Sequence, residues 1–115
     1  MNAALNDFRV FLKDELQRRA SKNPAYSLRA FARDIGLTNS HLSMTLSGRK
    51  RISPETAENV AFRMNLNTNE AEYVVLLAQK QFEIPVALTN IIDRRMEELR
   101  TQVTYPFESS IPEAS

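Results

Sequence analysis

The residues of this 115-residue chain best suited to chemistry lie between Thr38 and Arg51. Leu42 and Leu46 stand one helical turn apart, and turning them inward leaves Asn39, Ser40, His41, Ser43, Met44 and Ser47 on the outer face, with Thr38 at its start. None of these is a Lys or Glu, the types that usually solubilise an exposed helix face. Short polar side chains reach base edges: an Asn makes two hydrogen bonds to adenine, and a Met meets a thymine methyl. Arg49, Lys50 and Arg51 follow at once, and three cations behind such a helix suit phosphate contacts. The chemistry these residues offer is recognition rather than bond making. A self-capping solvated helix followed by a solvated basic loop is the plainer account of the same residues.

Bond-making chemistry finds little to work with. Ser40, His41 and Ser43 place hydroxyls beside an imidazole, but no buried acid is available to orient the ring as a triad requires. Asp14, Glu15 and Asp34 are the nearest approach to paired carboxylates, and nothing gives them a pocket. With no Cys, one His and two Gly, the chain has no thiol nucleophile, no His-cluster metal site and no glycine-rich phosphate loop. No catalytic residue, metal or cofactor is expected.

The elements that must position the outer face are readable from caps and spacing. Leu28, Phe31, Ala32 and Ile35 form one apolar helical face behind a Ser27 N-cap, and Gly36 follows the last of them. Thr38 caps the next segment, residues 38–47, and Gly48 ends it. Two short helices joined by a glycine-centred turn are a helix-turn-helix signature. Before them, a helix is expected over residues 4–20, with Arg18, Arg19 and Lys22 at its C-terminal end as dipole partners or phosphate contacts. Asn23-Pro24 breaks it, and Tyr26 is positioned as a hydrophobic staple.

After the basic stretch, Ser53-Pro54-Glu55 is a strong helix start, continued by Ala57, Val60, Ala61 and Met64. Asn67 and Glu70 have capping-box spacing, with Thr68 or Asn69 as alternative caps, ahead of a helix over residues 69–82 that is apolar nearly all round. Pro85 interrupts. A last amphipathic helix is expected over residues 86–103, where Leu88, Ile92, Met96, Leu99 and Val103 fall within about 80° on a helical wheel. This stripe either folds onto the preceding helices or joins two copies. The organisation expected is therefore a helix-turn-helix domain over residues 1–83, an amphipathic helix over 84–103 and a flexible tail over 104–115.

Charge divides along the same line. Residues 1–64 hold 11 Lys and Arg against 6 Asp and Glu; residues 65–115 hold 4 against 8. A basic half supplies the electrostatic part of nucleic-acid binding, and the acidic half is expected to turn away from it. No apolar run approaches the roughly 20 residues of a membrane span, so no membrane association and a cytoplasmic location are expected.

The pattern Leu28-x-x-Phe31-Ala32-x-x-Ile35-Gly36-Leu37, then Ser40-x-Leu42-Ser43, then Leu46-Ser47-Gly48 resembles the phage-repressor-like (Cro/repressor, XRE-type) helix-turn-helix class. The likeness spans roughly Leu5 to Ala78. The string from Tyr26 to Ser53 resembles, more narrowly, the N-terminal domain of longer bacterial regulators in which a second domain follows, so the chain reads as the N-terminal part of such a protein. The resemblance implies an all-α, five-helix repressor-like domain, here with an additional C-terminal amphipathic helix. It also implies a DNA-binding transcriptional regulator whose recognition helix enters the major groove. Many members have Gln at the first position of the second helix, contacting a phosphate; this chain has Leu28 there, and Arg29 is assigned that role.

The reading that joins these strands is a sequence-specific binder of double-stranded DNA acting as a homodimer. The residues assigned to DNA are Arg29, Thr38, Asn39, Ser40, His41, Ser43, Met44, Ser47, Arg49, Lys50 and Arg51. Leu88, Ile92, Met96, Leu99 and Val103 are the dimerisation candidates. A reading from another class is a protein-interaction or adaptor module on the same fold, with residues 69–82 and 86–103 as the surface for a protein partner.

Overall fold

Five of the six α-helices begin where a side chain satisfies their first free N–H groups; the last follows Pro85 without such a cap. The structure, a computed structural model, describes residues 3–107. After a 3-10 turn at Ala3–Leu5 come α1 (Phe8–Lys22), α2 (Leu28–Ile35), α3 (Asn39–Leu46), α4 (Pro54–Arg63), α5 (Thr68–Gln79) and α6 (Val86–Arg100). Ser27 Oγ accepts from Ala30 N (3.0 Å), Thr38 Oγ1 from His41 N (2.9 Å) and Ser53 Oγ from Thr56 N (3.1 Å). Asn67 and Glu70 form a reciprocal capping box. The first helix starts later than the expected Ala4, because Asp7 caps it: its carboxylate accepts from the N–H groups of Arg9 and Val10. The α5 and α6 helices stop at Gln79 and Arg100, short of the expected 82 and 103.

Three helix ends share one device. After α2, α3 and α4 the chain turns through a left-handed residue: Gly36 (φ 81°), Gly48 (φ 83°) and Asn65 (φ 61°). In each case the next N–H reaches back to the last turn: Leu37 to Ala32 O (2.9 Å), Arg49 to Met44 O (2.8 Å) and Leu66 to Ala61 O (3.1 Å). These are Schellman closures, for which Gly is the least strained residue and Asn the usual substitute. The α2–α3 connection is thereby held to residues 36–38.

The described residues form helices joined by loops, without a strand, and enclose one core. Phe8, Phe11 and Leu12 of α1, Phe31 and Ile35 of α2, Leu42 of α3, Val60 of α4, and Tyr73, Val74 and Leu77 of α5 are all buried in it. The α4 and α5 helices make the most extensive pair; α2 lies on α3, and α1 lies across α3 and α5. No helix among the described residues is long and apolar enough to cross a membrane.

The α6 helix belongs to this core. Ile92, Met96 and Leu99 are buried, and Val103 is half-buried against the cluster. Ion pairs fasten the helix to α5: Lys80 with Asp93 (2.7 Å) and Arg95 with Glu72 (2.7 Å). Arg100 Nε donates to Tyr73 Oη (2.9 Å), and Tyr73 in turn donates to Leu5 O (2.6 Å). Of the two fates left open for the stripe, core packing or dimerisation, the structure encloses Ile92, Met96 and Leu99 in their own chain, and only Leu88 of that stripe is exposed.

The tail expected to be flexible from residue 104 packs on α1 over its first residues. Phe107 is fully buried, with its ring 5.6 Å from that of Phe11, and Tyr105 stacks edge-on to Phe107. Tyr105 Oη donates to the Asp14 carboxylate, and the Arg18 guanidinium lies over the Tyr105 ring. Aromatic burial on α1 outweighs the turn-forming composition of Tyr105-Pro106. Residues 108–115, the rest of that tail, lie outside the described residues.

Candidate nucleic-acid interface

The outer face of α3 is built from the residues the sequence assigned to it, with one change. Leu42 and Thr45 are buried and Leu46 is half-buried, while Thr38, Asn39, Ser40, Ser43, Met44 and Ser47 are exposed. Ser47 Oγ donates to Met44 O, so it spends its proton within the helix end. His41 is the change. It is half-buried, and its Nε2 is enclosed without a hydrogen-bond partner. Burial and the nearby Lys50 cation lower its pKa below the ordinary 6.5, against a smaller pull from the Arg51 backbone. At neutral pH the ring is an uncharged filler between α3 and the basic loop, not an outward donor.

The basic loop is anchored by its backbone and exposed at its side chains. The N–H groups of Arg49 and Lys50 both converge on Met44 O (2.8 and 3.2 Å). At the far end Ile52 is buried, and Gln81 Nε2 donates to Ile52 O (3.1 Å). The Arg51 guanidinium lies over the Phe82 ring at 5.8 Å. Residues 49–52 therefore hold one course while three cations project from it.

Sequence reasoning missed Arg9. A β-carbon on Gly48 would stand 2.5 Å from an Arg9 guanidinium nitrogen, so the first turns of α1 lay a fourth cation against the end of α3. Gly48 thus serves twice, for its positive φ and for this close approach. No local signal marks Arg9, because the contact depends on how α1 crosses α3. A similar approach occurs at the other turn, where Arg63 and Asn59 lie within 3 Å of the position a Gly36 β-carbon would take.

The charges on this side differ in kind from those elsewhere. No acidic residue occurs between Ile35 and Pro54. Arg9, Arg29, Arg49, Lys50 and Arg51 form no salt bridge among the described residues. Arg18 and Arg19, the alternative phosphate contacts at the end of α1, turn inward instead and pair with Glu15, which is fully buried. Burial pushes the Glu15 carboxyl up, against the pull of the two guanidinium groups. Arg19 also donates to Tyr26 Oη (3.2 Å), and Tyr26 donates to Asp34 (2.6 Å). This chain of contacts braces α2 against α1, while the Tyr26 ring staples onto Phe31. Cations that stabilise the fold are thus segregated from cations left free at the surface.

A scan against protein-family models, a search of curated proteins and a search of solved structures each found no match to this chain.

Proposed function

We propose that the chain is a helix-turn-helix domain of the repressor-like type that binds double-stranded DNA and regulates transcription, by binding rather than by catalysis. The α3 helix is the recognition helix in the major groove, with Asn39, Ser43 and Met44 toward base edges and Ser40 within reach of a base or phosphate. Arg9, Arg29, Arg49, Lys50 and Arg51 set the register on phosphates. One observation carries this reading: an acid-free, short-chained polar helix face sits beside four cations, Arg9 and Arg49 to Arg51, that no carboxylate neutralises and whose loop is held by its backbone. Unpaired cations on a fixed frame suit an anionic ligand that arrives from outside. Pre-organisation of this kind lowers the ordering cost of binding.

The test is the salt dependence of duplex binding, measured by fluorescence anisotropy on a random-sequence duplex. Four to five phosphate contacts give a slope of log K against log salt of about −4. A slope near zero, or no binding by folded protein at low salt, overturns the proposal.

A further inference from the structure

The basic loop is held from a place 29 residues further along the chain. The α5 helix ends at Gln79, and two more backbone bonds close that end: Gln81 N–H donates to Ala78 O and Phe82 N–H to Gln79 O, both at 3.2 Å. This turn brings two side chains against the loop. Gln81 Nε2 donates to Ile52 O and to Ala78 O, both at 3.1 Å. A primary amide nitrogen carries two N–H donors, so both are engaged, one on the loop and one on α5 itself. Beside it, the Phe82 ring lies 5.8 Å from the Arg51 guanidinium.

Neither contact is needed to anchor the loop in the core. The Ile52 side chain is fully buried, and Ser53 caps α4 directly after it. What Gln81 adds is a fixed direction for the Ile52 carbonyl, one residue after Arg51. Phe82 adds a hold on the cation itself. An aromatic face restrains a guanidinium without cancelling its charge, whereas a carboxylate neutralises the cation it holds. Arg95, paired with Glu72 and Glu98, is held in the second way. Arg51 is held in the first: it is exposed, has no salt bridge among the described residues, and keeps its full charge.

We infer that the end of α5 is a seat for the basic loop, and that Gln81 and Phe82 are positioning residues that hold Arg51 ready for a phosphate. The inference rests on the DNA reading above and divides its labour. Arg49 and Lys50 are set by the closure of α3 on Met44 O, and Arg51 is set from α5. A cation ordered before binding loses less freedom when it binds. Loss of the seat therefore lowers affinity while the number of phosphates neutralised stays the same.

The test is fluorescence anisotropy on a random-sequence duplex over a range of salt, with Gln81→Leu, Phe82→Leu, Phe82→Tyr, Arg51→Ala and the Arg51→Ala/Phe82→Leu double variant. Circular dichroism melting checks that each variant folds. Gln81→Leu and Phe82→Leu are each expected to weaken binding about 3- to 10-fold at every salt concentration, with the slope unchanged. Phe82→Tyr, which keeps the ring face, binds as the wild type does. Arg51→Ala lowers the slope by about 1, and adding Phe82→Leu to it costs nothing further, because the ring acts through Arg51. Without DNA, amide hydrogen exchange over residues 49–53 quickens in Gln81→Leu. Unchanged exchange there overturns the seat, whatever α3 binds. Full affinity in folded Gln81→Leu and Phe82→Leu overturns the inference and leaves the DNA reading standing. Phe82→Leu that weakens binding as much with Arg51→Ala as without it overturns the route through Arg51. No duplex binding by the folded wild-type chain overturns the DNA reading, and the role of the seat with it.

Discussion

The α2–α3 side and the α5–α6 side of this molecule use the same helical vocabulary and treat their surfaces in opposite ways. Around α3, cations stand without carboxylate partners and the only exposed large hydrophobic residue is Met44. Along α5 and α6, Lys80 and Arg95 are each held by a carboxylate at 2.7 Å, and four large hydrophobic side chains, Phe82, Val86, Leu88 and Ile91, are exposed. Exposed ion pairs add little stability, typically under about 1 kcal/mol, so stability alone does not explain leaving one set of cations unpaired. The contrast follows instead if the α3 side, and not the other, meets a polyanion. The Glu15–Arg18–Arg19 cluster belongs to neither, and Arg19 ties α1 to α2 through Tyr26 and Asp34.

Substitutions that act on one side only are the way to break this comparison. The largest effect is expected for Phe107→Ala, which empties a fully buried ring site against Phe11. A loss of about 3–5 kcal/mol in denaturant unfolding is expected, with duplex affinity of the folded fraction unchanged. Equal loss of affinity would mean that the two sides are not separable. Gly48→Ala comes next, and is expected to strike both properties at once. A left-handed non-glycine residue costs about 1–2 kcal/mol, and the added β-carbon displaces Arg9, so calorimetric stability and DNA affinity both fall.

Arg9→Ala and Arg49→Ala sharpen the contrast from the other direction. Each is expected to leave stability within about 0.5 kcal/mol while reducing the salt slope of duplex binding by about 1, equally for all sequences. An unchanged slope for Arg9→Ala would return that residue to simple helix packing. The smallest effect concerns His41. Its folded pKa lies below its ordinary value, so the unfolded chain binds more protons in the interval between the two. The stability contributed is full above about pH 6.5 and declines as pH falls from there toward the folded pKa. Thermal melts between pH 7.5 and 5.5 should show a small drop in Tm that His41→Gln abolishes; an unchanged drop would place its origin in another group.

What was legible in the sequence is what is decided within one turn of chain. Ser27, Thr38, Ser53-Pro54 and the Asn67–Glu70 box cap the helices they were read to cap, because a cap needs only its own next three residues. Gly36 and Gly48 take the positive φ that their places after apolar runs imply. The outward face of α3 followed from Leu42 and Leu46, with the half-buried His41 as the exception. What was hidden depends on distant partners. Arg9 against Gly48, Gln81 on the Ile52 carbonyl, and Tyr105 with Phe107 on α1 join residues far apart in the chain. Periodicity could not decide whether the α6 stripe met its own core or a second copy, since either choice buries the same side chains. Nor could it separate Arg18 and Arg19, drawn inward by a buried Glu15, from the cations that stay free.

The central claim is that α3 reads bases, and selection of bound duplexes from a random DNA pool at near-physiological salt tests it most directly. The wild-type chain and Asn39→Ala are run side by side. The account predicts an enriched motif for the wild type, and for the variant the same motif with preference relaxed at one base pair, by about 1–3 kcal/mol of discrimination. No enrichment from folded wild-type protein, or an Asn39→Ala variant that weakens every sequence equally, would contradict it.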